Sequence, residues 1–199
     1  MPKIVDHDSR RQAYVDAMWR VVSRAGAGGI SVRSVAAEAG VSPSNIVHYL
    51  PSRGEMLGEA VSRLVADASA RAAELEDADL DLDSATDLVM VAIPHTRTRR
   101  RQSEVWLLLL AEQETNPDAR RILSGLQGRV AAAVRRSMDR FAAAGLMAPN
   151  RDRDREAVRL HALIDGLSIQ ALVSSTDMSP TRIRETVRIH LADLANDPD

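Results

Sequence analysis

The segment from Ser31 to Glu55, SVRSVAAEAGVSPSNIVHYLPSRGE, restricts the fold most, because helix starts and a turn follow one another closely in it. Ser31 is a favoured N-cap residue, and Gly40 can adopt the left-handed conformation that ends a helix. Ser42 then caps a second helix, with Pro43 at its first position. Two short helices joined by a glycine-containing turn form a helix-turn-helix, whose second helix suits a DNA major groove.

A third helix start follows directly, because Ser52 and Glu55 have the spacing of a capping box. In the second helix, the helical period places Ile46 and Leu50 on the inner side. Its outward positions are small or polar at the start and aromatic toward the end: Pro43, Ser44, Asn45, Val47, His48 and Tyr49. A helix that needs only solubility would more often carry Glu and Lys. This face therefore favours DNA reading over a plain helical hairpin, which is the alternative.

The stretch from Arg11 through Leu57, and especially VAAEAGVSPSNIVHYLPSRGEML, resembles the N-terminal DNA-binding domain of the TetR family of transcriptional regulators. The family pattern there is a helix, Gly-Val-Ser, a short recognition helix ending in Tyr-His-Phe or similar, and Ser-Lys-Glu-x-Leu. The remaining chain resembles the family's all-helical ligand-binding domain, and its DGL is most like the BetI-type branch. This sequence departs from the pattern at three positions: Leu50 for an aromatic residue, Arg53 for lysine, and Val47 where many members present tyrosine to DNA.

Length and patterning predict an all-α protein with two domains. The 199 residues can hold a small domain and a larger one, and no window alternates apolar and polar residues as a strand would. The resemblance implies a three-helix helix-turn-helix DNA-binding domain over residues 1–55. It implies a helical-bundle domain for effector binding and dimerisation over residues 56–199.

Composition excludes several other classes. The chain has no cysteine, so a disulfide framework and a thiolate metal site are excluded. No N-terminal segment resembles a signal peptide and no run of eighteen apolar residues occurs, so we expect a cytoplasmic protein without a membrane partner. The net charge is −2, but residues 1–55 carry seven basic and five acidic side chains. This bias toward positive charge is modest and permits DNA binding.

Further helices are predicted along the rest of the chain from apolar stripes and end signals. They cover about 9–25, 52–76, 83 or 84 to 94, the segment from HTRTRRRQ through WLLLLAEQE, 116–145, 152–174 and 180–195. The acidic stretch ELEDADLDLDS is interpreted as a solvated loop. The four arginines of HTRTRRRQ are interpreted as solvated charge that pairs with this loop, although a basic cluster can also indicate nucleic acid.

The helix at 152–174 predicts self-association. Between residues 157 and 173 its only charged side chains are Arg159 and Asp165, so it must be buried on two sides. Together with the 180–195 helix, it is expected to pair with the same helices of a second subunit in an isologous four-helix interface.

Catalytic signals are weak in this sequence, which has no HExxH spacing, phosphate-binding glycine loop or nucleophile elbow. His161 and Asp165 lie four residues apart and share a helix face. They could act as a metal-binding or base-and-orienter pair, but a hydrogen-bonded pair in a helical core is the preferred interpretation. We expect no enzyme activity, cofactor or metal.

On the family's scheme, the chain is a homodimeric repressor that binds a palindromic operator and is released by an unidentified small-molecule effector. The residues assigned to DNA phosphates are Ser31, Arg33, Ser42, Tyr49 and Arg53. Those assigned to base edges are Ser44, Asn45 and His48, with Pro43 and Val47 on the same face. The candidates for a mostly apolar effector pocket are Met90, Trp106, Leu109, Met138, Phe141 and His161.

Two alternatives come from other protein classes. One is a helical ligand-carrying or protein-binding module with a vestigial helix-turn-helix, which the modest charge bias and Val47 favour. The other is a small enzyme built around His161 and Asp165. Salt-dependent binding to a palindromic duplex distinguishes the first from a repressor, and turnover without DNA would reveal the second.

Overall fold

A computed structural model describes residues 3–75, 80–174 and 177–196, with side chains from residue 7 onward. Within these ranges the secondary structure consists of helices and turns, so the prediction of an all-α fold is confirmed. Along the described chain the α-helices are α1 (Lys3–Ala25), α2 (Val32–Ala39), α3 (Pro43–Tyr49), α4 (Arg53–Glu74), α5 (Leu82–Met90), α6 (Arg97–Glu112), α7 (Pro117–Ala143), α8 (Arg153–Val173) and α9 (Pro180–Asp193).

The chain divides into two compact units, each discontinuous in sequence. Unit 1 combines the residues up to Leu64 with Arg101–Leu126. Unit 2 combines Val65–Arg100 with the residues from Gln127 onward. Unit 1 therefore includes part of α6 and α7 in addition to the segment predicted as the DNA-binding domain. The functional boundary at residue 55 stays a prediction.

Unit 1 packs α1, α2 and α3 around a small apolar core. Ile46 and Leu50 are fully buried, as their helical spacing predicts, and α2 contributes Val35 and Ala36. The first two turns of α7 lie close against α4. A Cβ atom on Gly58 would lie 2.6 Å from Cγ2 of Ile122, so glycine permits this approach.

Unit 2 has a larger core to which α8 contributes one face only. The buried side chains of α8 include Leu160, Ile164 and Leu167. On its opposite face, Val158, Ile169 and Val173 are 69%, 48% and 77% exposed. The single chain therefore buries one side of α8 and leaves an apolar face uncovered, and burial of that face by a second subunit stays a prediction.

The acidic stretch and the arginine cluster do not pair in the way that was predicted. Residues 76–79 of the acidic stretch lie outside the described residues. α5 begins after Asp81, whose carboxylate and backbone form a capping box with Ser84, rather than at Asp83 or Ser84. Asp83 instead pairs with Arg188 of α9 at 3.3 Å.

The described arginine contacts of HTRTRRRQ are to backbone carbonyls rather than to carboxylates of the acidic stretch. Among the four arginines, these contacts run from Arg99 to Val91, from Arg100 to Met178, and from Arg101 to Ser23. The interpretation of these charges as partners of the acidic loop is therefore wrong for the described residues. Over those residues, we find no helix with the length and apolar character needed to cross a membrane.

Candidate DNA-binding site and effector domain

The turn between α2 and α3 is held by local hydrogen bonds. The Ser31 hydroxyl accepts from the backbone N–H of Ser34 at 3.1 Å, as a capping residue should. Gly40 has φ +67°, and its N–H donates to the Ala36 and Ala37 carbonyls, which ends α2. Ser42 has N-cap backbone angles but makes no side-chain cap, and its hydroxyl instead bonds the Ser44 hydroxyl at 3.0 Å. The local signals therefore predicted the turn correctly and one cap bond incorrectly.

The outward face of α3 carries most of the residues expected there. Ser42, Pro43, Ser44, Val47 and His48 are exposed, and Asn45 is half-buried. None of these side chains is cationic apart from a protonated His48, so the face offers hydrogen-bonding and apolar groups rather than charge. Such groups can read base edges through hydrogen bonds and apolar contacts, and hydroxyls can also bind phosphates.

Tyr49 is not on this outward face, and that expectation is wrong. Its side chain is only 9% exposed. Its ring centroid lies 5.4 Å from that of Tyr14 and 4.5 Å from that of His7, both on α1. Aromatic packing at these distances fixes the end of α3 against α1. Its role as a phosphate contact stays a prediction.

His7 was missed by the sequence analysis. Its ring centroid is 6.4 Å from that of His48, so the two exposed imidazoles lie beside each other at the end of α3. α1 begins well before the predicted position near residue 9. The sequence before residue 9 has no apolar stripe that would have extended the helix, and His7 therefore had no signal.

Arg53 is placed differently from a free phosphate contact. Its Nε lies 2.6 Å from a carboxylate oxygen of Glu112 at the end of α6, within unit 1. Arg33 and Ser31, by comparison, are exposed on and before α2. The pairing of Arg53 depends on a residue 59 positions away, so no local pattern predicts it.

Two further cations of unit 1 are also paired. Arg20 and Arg24 of α1 donate to the Glu38 carboxylate at 2.9 and 2.7 Å. Their hydrogen bonds lower the pKa of Glu38. These pairs hold two of the seven basic side chains of the first 55 residues against a carboxylate. Electrostatic attraction to DNA therefore depends on few side chains, Arg33 among them.

The six effector-pocket candidates do not all lie in one unit. Met90, Met138 and Phe141 are buried in the core of unit 2, and His161 of the same unit is half-buried. Leu109, fully buried, and Trp106, half-buried, belong to unit 1. The interpretation of these six residues as the lining of one pocket stays a prediction.

His161 and Asp165 do not form a hydrogen-bonded core pair, and that interpretation is wrong. The His161 Nε2 and Asp165 Oδ2 atoms are 3.8 Å apart, and the Asp165 side chain is 54% exposed. This distance is longer than the donor–acceptor distance of a hydrogen bond. Among the described residues, no group of three or more His, Asp or Glu side chains is arranged to hold a metal ion.

A short helix with a polar outward face, held by a glycine turn on a small helical core, defines a helix-turn-helix DNA-binding protein. Residues 81–196 match the family described as "BetI-type transcriptional repressor, C-terminal". The chain therefore belongs to the TetR family of transcriptional regulators, with a C-terminal domain of the BetI type.

Similar proteins extend over nearly the whole chain. The HTH-type transcriptional regulator PksA of Bacillus subtilis is 27% identical over 98% of this chain and 94% of its own length. The regulator BetI of Agrobacterium fabrum is 29% identical over 89% of this chain and 84% of its own. A crystal structure of a transcriptional regulator from Saccharomonospora viridis in complex with choline has 29% identity and a TM-score of 0.73, and covers 94% of this chain and 95% of that one.

These likenesses decide between the protein classes left open by the sequence. The family consists of transcriptional regulators, so the predictions of a regulator and against an enzyme are confirmed. The fold prediction of an N-terminal helix-turn-helix domain followed by a helical domain is also confirmed.

Proposed function

We propose that the protein is a repressor that binds an inverted-repeat operator as a homodimer and is released by a small-molecule effector. The observation that carries this proposal is the exposed, uncharged polar face of α3 in a chain of this family. Base edges are read by Ser44, Asn45 and His48, and Val47 and Pro43 supply apolar contacts. Phosphates are bound by Ser31, Arg33, Ser42, Tyr49 and Arg53. Asn45 suits adenine, because its amide can bond N6 and N7 together.

The test measures, by fluorescence anisotropy, the binding of the purified protein to the inverted repeats upstream of its own gene. Half-sites should be spaced by about one helical turn (roughly 10 bp) or a multiple. Asn45→Ala should cost about 1–3 kcal/mol at particular base pairs and leave non-specific binding unchanged. Asn150→Ala, which removes the same amide from an exposed position of unit 2, is the matched control. Equal loss of specific and non-specific binding in Asn45→Ala would contradict the assignment.

The proposed dimer uses the uncovered face of α8. Val158, Ile169 and Val173 form an apolar stripe at helical spacing, and Ile189 of α9 is exposed as well. Apolar side chains that face water in the single chain support burial by a second copy. Leu191 of α9 is 3% exposed and belongs to the core of unit 2 rather than to this stripe.

The proposed effector acts by linkage. A small molecule releases DNA only to the extent that it binds the DNA-incompetent state more tightly. The likeness to a regulator crystallised with choline supports a small-molecule site in this fold. If the chain were a ligand-binding module with a vestigial helix-turn-helix, small molecules would bind but operator binding would show no sequence preference.

A further inference from the structure

Three arginines of unit 2 lie on two helices, at the end of α4 and near the start of α6. Arg71 lies in the last turn of α4, and Arg99 and Arg100 lie near the start of α6. Arg99 donates to the Val91 carbonyl at 3.3 Å, and Arg100 to the Met178 carbonyl at 3.2 Å. The two acceptors lie just after α5 and in the turn before α9, and the charges of Arg71 and Arg99 are close enough to repel each other.

The hydrogen-bonding capacity of the three guanidinium groups is only partly used. The Nε atoms of Arg71 and Arg100 are inaccessible to solvent and have no hydrogen-bond partner. Over residues 3–75, 80–174 and 177–196, no carboxylate forms an ion pair with any of the three. A buried donor without a partner costs free energy, more so on a charged group.

Positive charge therefore accumulates at this position. Burial, and then the neighbouring Arg71 cation, lower the pKa of Arg99. Backbone carbonyls offset part of this charge, but a carbonyl dipole does not neutralise a full cation. An unpaired cationic group in a partly buried position is unusual in structural cores, where charges are paired.

We infer that Arg71, Arg99 and Arg100 form an anion-binding site and that the effector of this regulator carries a carboxylate or phosphate group. This inference rests on the proposed function, because it names the chemical class of that effector. Guanidinium groups bind such oxyanions through charge-assisted, often bidentate hydrogen bonds. The unused Nε donors of Arg71 and Arg100 would supply part of these bonds.

An anionic effector distinguishes this chain from the choline-bound regulator of similar fold. Choline is a quaternary ammonium, and such cations are held by aromatic faces. This chain has only five aromatic Phe, Tyr and Trp side chains. Of these, Phe141 belongs to unit 2, in its buried core. A cluster of arginines would repel a quaternary ammonium.

The test uses inorganic phosphate as the probe and the full chain as the protein. The thermal unfolding midpoint is measured at pH 7 in sodium phosphate, sodium chloride and choline chloride of equal ionic strength. A ligand of the folded state raises the midpoint, by roughly 3–6 °C at ten times its dissociation constant. We expect this rise with phosphate and no rise with choline.

Variants locate the effect. Arg71→Gln and Arg99→Gln should each lose the phosphate-dependent rise while remaining folded in chloride. Arg97→Gln removes an exposed cation from α6, which also carries Arg99, and this variant should keep the phosphate-dependent rise. This control also accounts for the general stabilisation by phosphate that arises from its exclusion from protein surfaces, which affects all variants equally.

Two results would overturn the anion site. One is an equal phosphate-dependent rise in Arg71→Gln, Arg99→Gln and Arg97→Gln, and the other is a larger rise with choline than with phosphate. Operator binding by the wild-type protein is measured separately, by anisotropy. If the wild-type protein did not bind an operator, the proposed repressor function would be contradicted, whereas the result with phosphate would be unaffected.

Discussion

Arg53 and Glu112 show how one partner can change what a side chain is free to do. The pair joins the start of α4, expected to contact DNA, to the end of α6 within unit 1. A carboxylate at 2.6 Å competes with a phosphate for the same guanidinium group. DNA binding through Arg53 therefore requires this ion pair to open or to share its cation.

The first prediction concerns Glu112→Gln, which removes the competing charge. We expect DNA affinity to rise about two- to fivefold for all sequences, because exposed ion pairs contribute about 0.2–1 kcal/mol. The salt dependence should steepen by up to about one counterion. Anisotropy titrations at several salt concentrations measure both quantities, with Glu114→Gln as the exposed neighbouring control. Weaker binding would show that Glu112 orients Arg53 toward DNA.

The second prediction concerns His190, whose Nε2 is buried without a hydrogen-bond partner. Burial, and then the charge of Arg159, lower its pKa below the ordinary value of 6.5. The folded state thus favours neutral imidazole, and the unfolded state binds the proton more readily. Stability should be intact above pH 6.5 and fall as the pH decreases below it.

The urea concentration at which half of the protein is unfolded, measured between pH 8 and pH 5, tests this expectation. His190→Gln should flatten the decrease between pH 7 and pH 5, whereas His7→Gln, an exposed histidine, should not. The carboxylates of Glu38 and Asp81 have lowered pKa values, so they lose their stabilising contribution at more acidic pH. A profile of His190→Gln that matches wild type would show that another group causes the decrease.

At the level of helices, local signals predicted most boundaries. Gly40, Pro43, Asp152 and Pro180 each mark a helix end or start through their own backbone or capping preferences. The early start of α1 was missed because the sequence before residue 9 has no apolar stripe. The cap of α5 at Asp81 was missed because Asp83 and Ser84 nearby are also suitable cap residues.

The candidate site was less predictable than the helices. The outward face of α3 follows from helical period alone, and it was predicted except at Tyr49. Tyr49 is buried because α1 supplies Tyr14 and His7 as ring partners, and Arg53 is paired because α6 ends beside it. Such contacts join distant parts of the chain, so no pattern within one helix records them.

The third prediction concerns the contact between α4 and α7 in unit 1. Gly58→Ala would place a Cβ 2.6 Å from Ile122 Cγ2. We expect a destabilisation of about 1–3 kcal/mol from overpacking, partly offset by the better helix propensity of alanine. Gly128→Ala, in α7, adds a Cβ that would meet no atom within 4 Å, and it should instead stabilise by about 0.5–1 kcal/mol. Chemical denaturation measures the free energy of unfolding of both variants. Equal changes in Gly58→Ala and Gly128→Ala would contradict this packing.

For the molecule as a whole, the proposed assembly depends on the uncovered face of α8. Apolar side chains on one face of a long helix are a poor surface for a monomer in water. The same helix lines the core of unit 2 with its other face, so substitutions on the uncovered face should affect association without disrupting the fold.

The fourth prediction concerns Ile169→Glu and Val158→Glu, which place charges on this face. Each should shift the protein from dimer to monomer, because burying an unpaired carboxylate is costly. Sedimentation measures the change, and circular dichroism verifies that the variants remain helical. Ala132→Glu, at an exposed position of α7, is the control and should remain dimeric. Unchanged dimers in both α8 variants would exclude this interface.

The discontinuity of unit 1 has a consequence for synthesis on the ribosome. Its N-terminal segment emerges first, but Glu112 and Ile122, which contact Arg53 and Gly58, are made later. Unit 1 can therefore complete its packing only after residue 126 has left the exit tunnel. Until then α4 lacks these partners, so we expect the nascent helix-turn-helix segment to be less stable than in the complete chain.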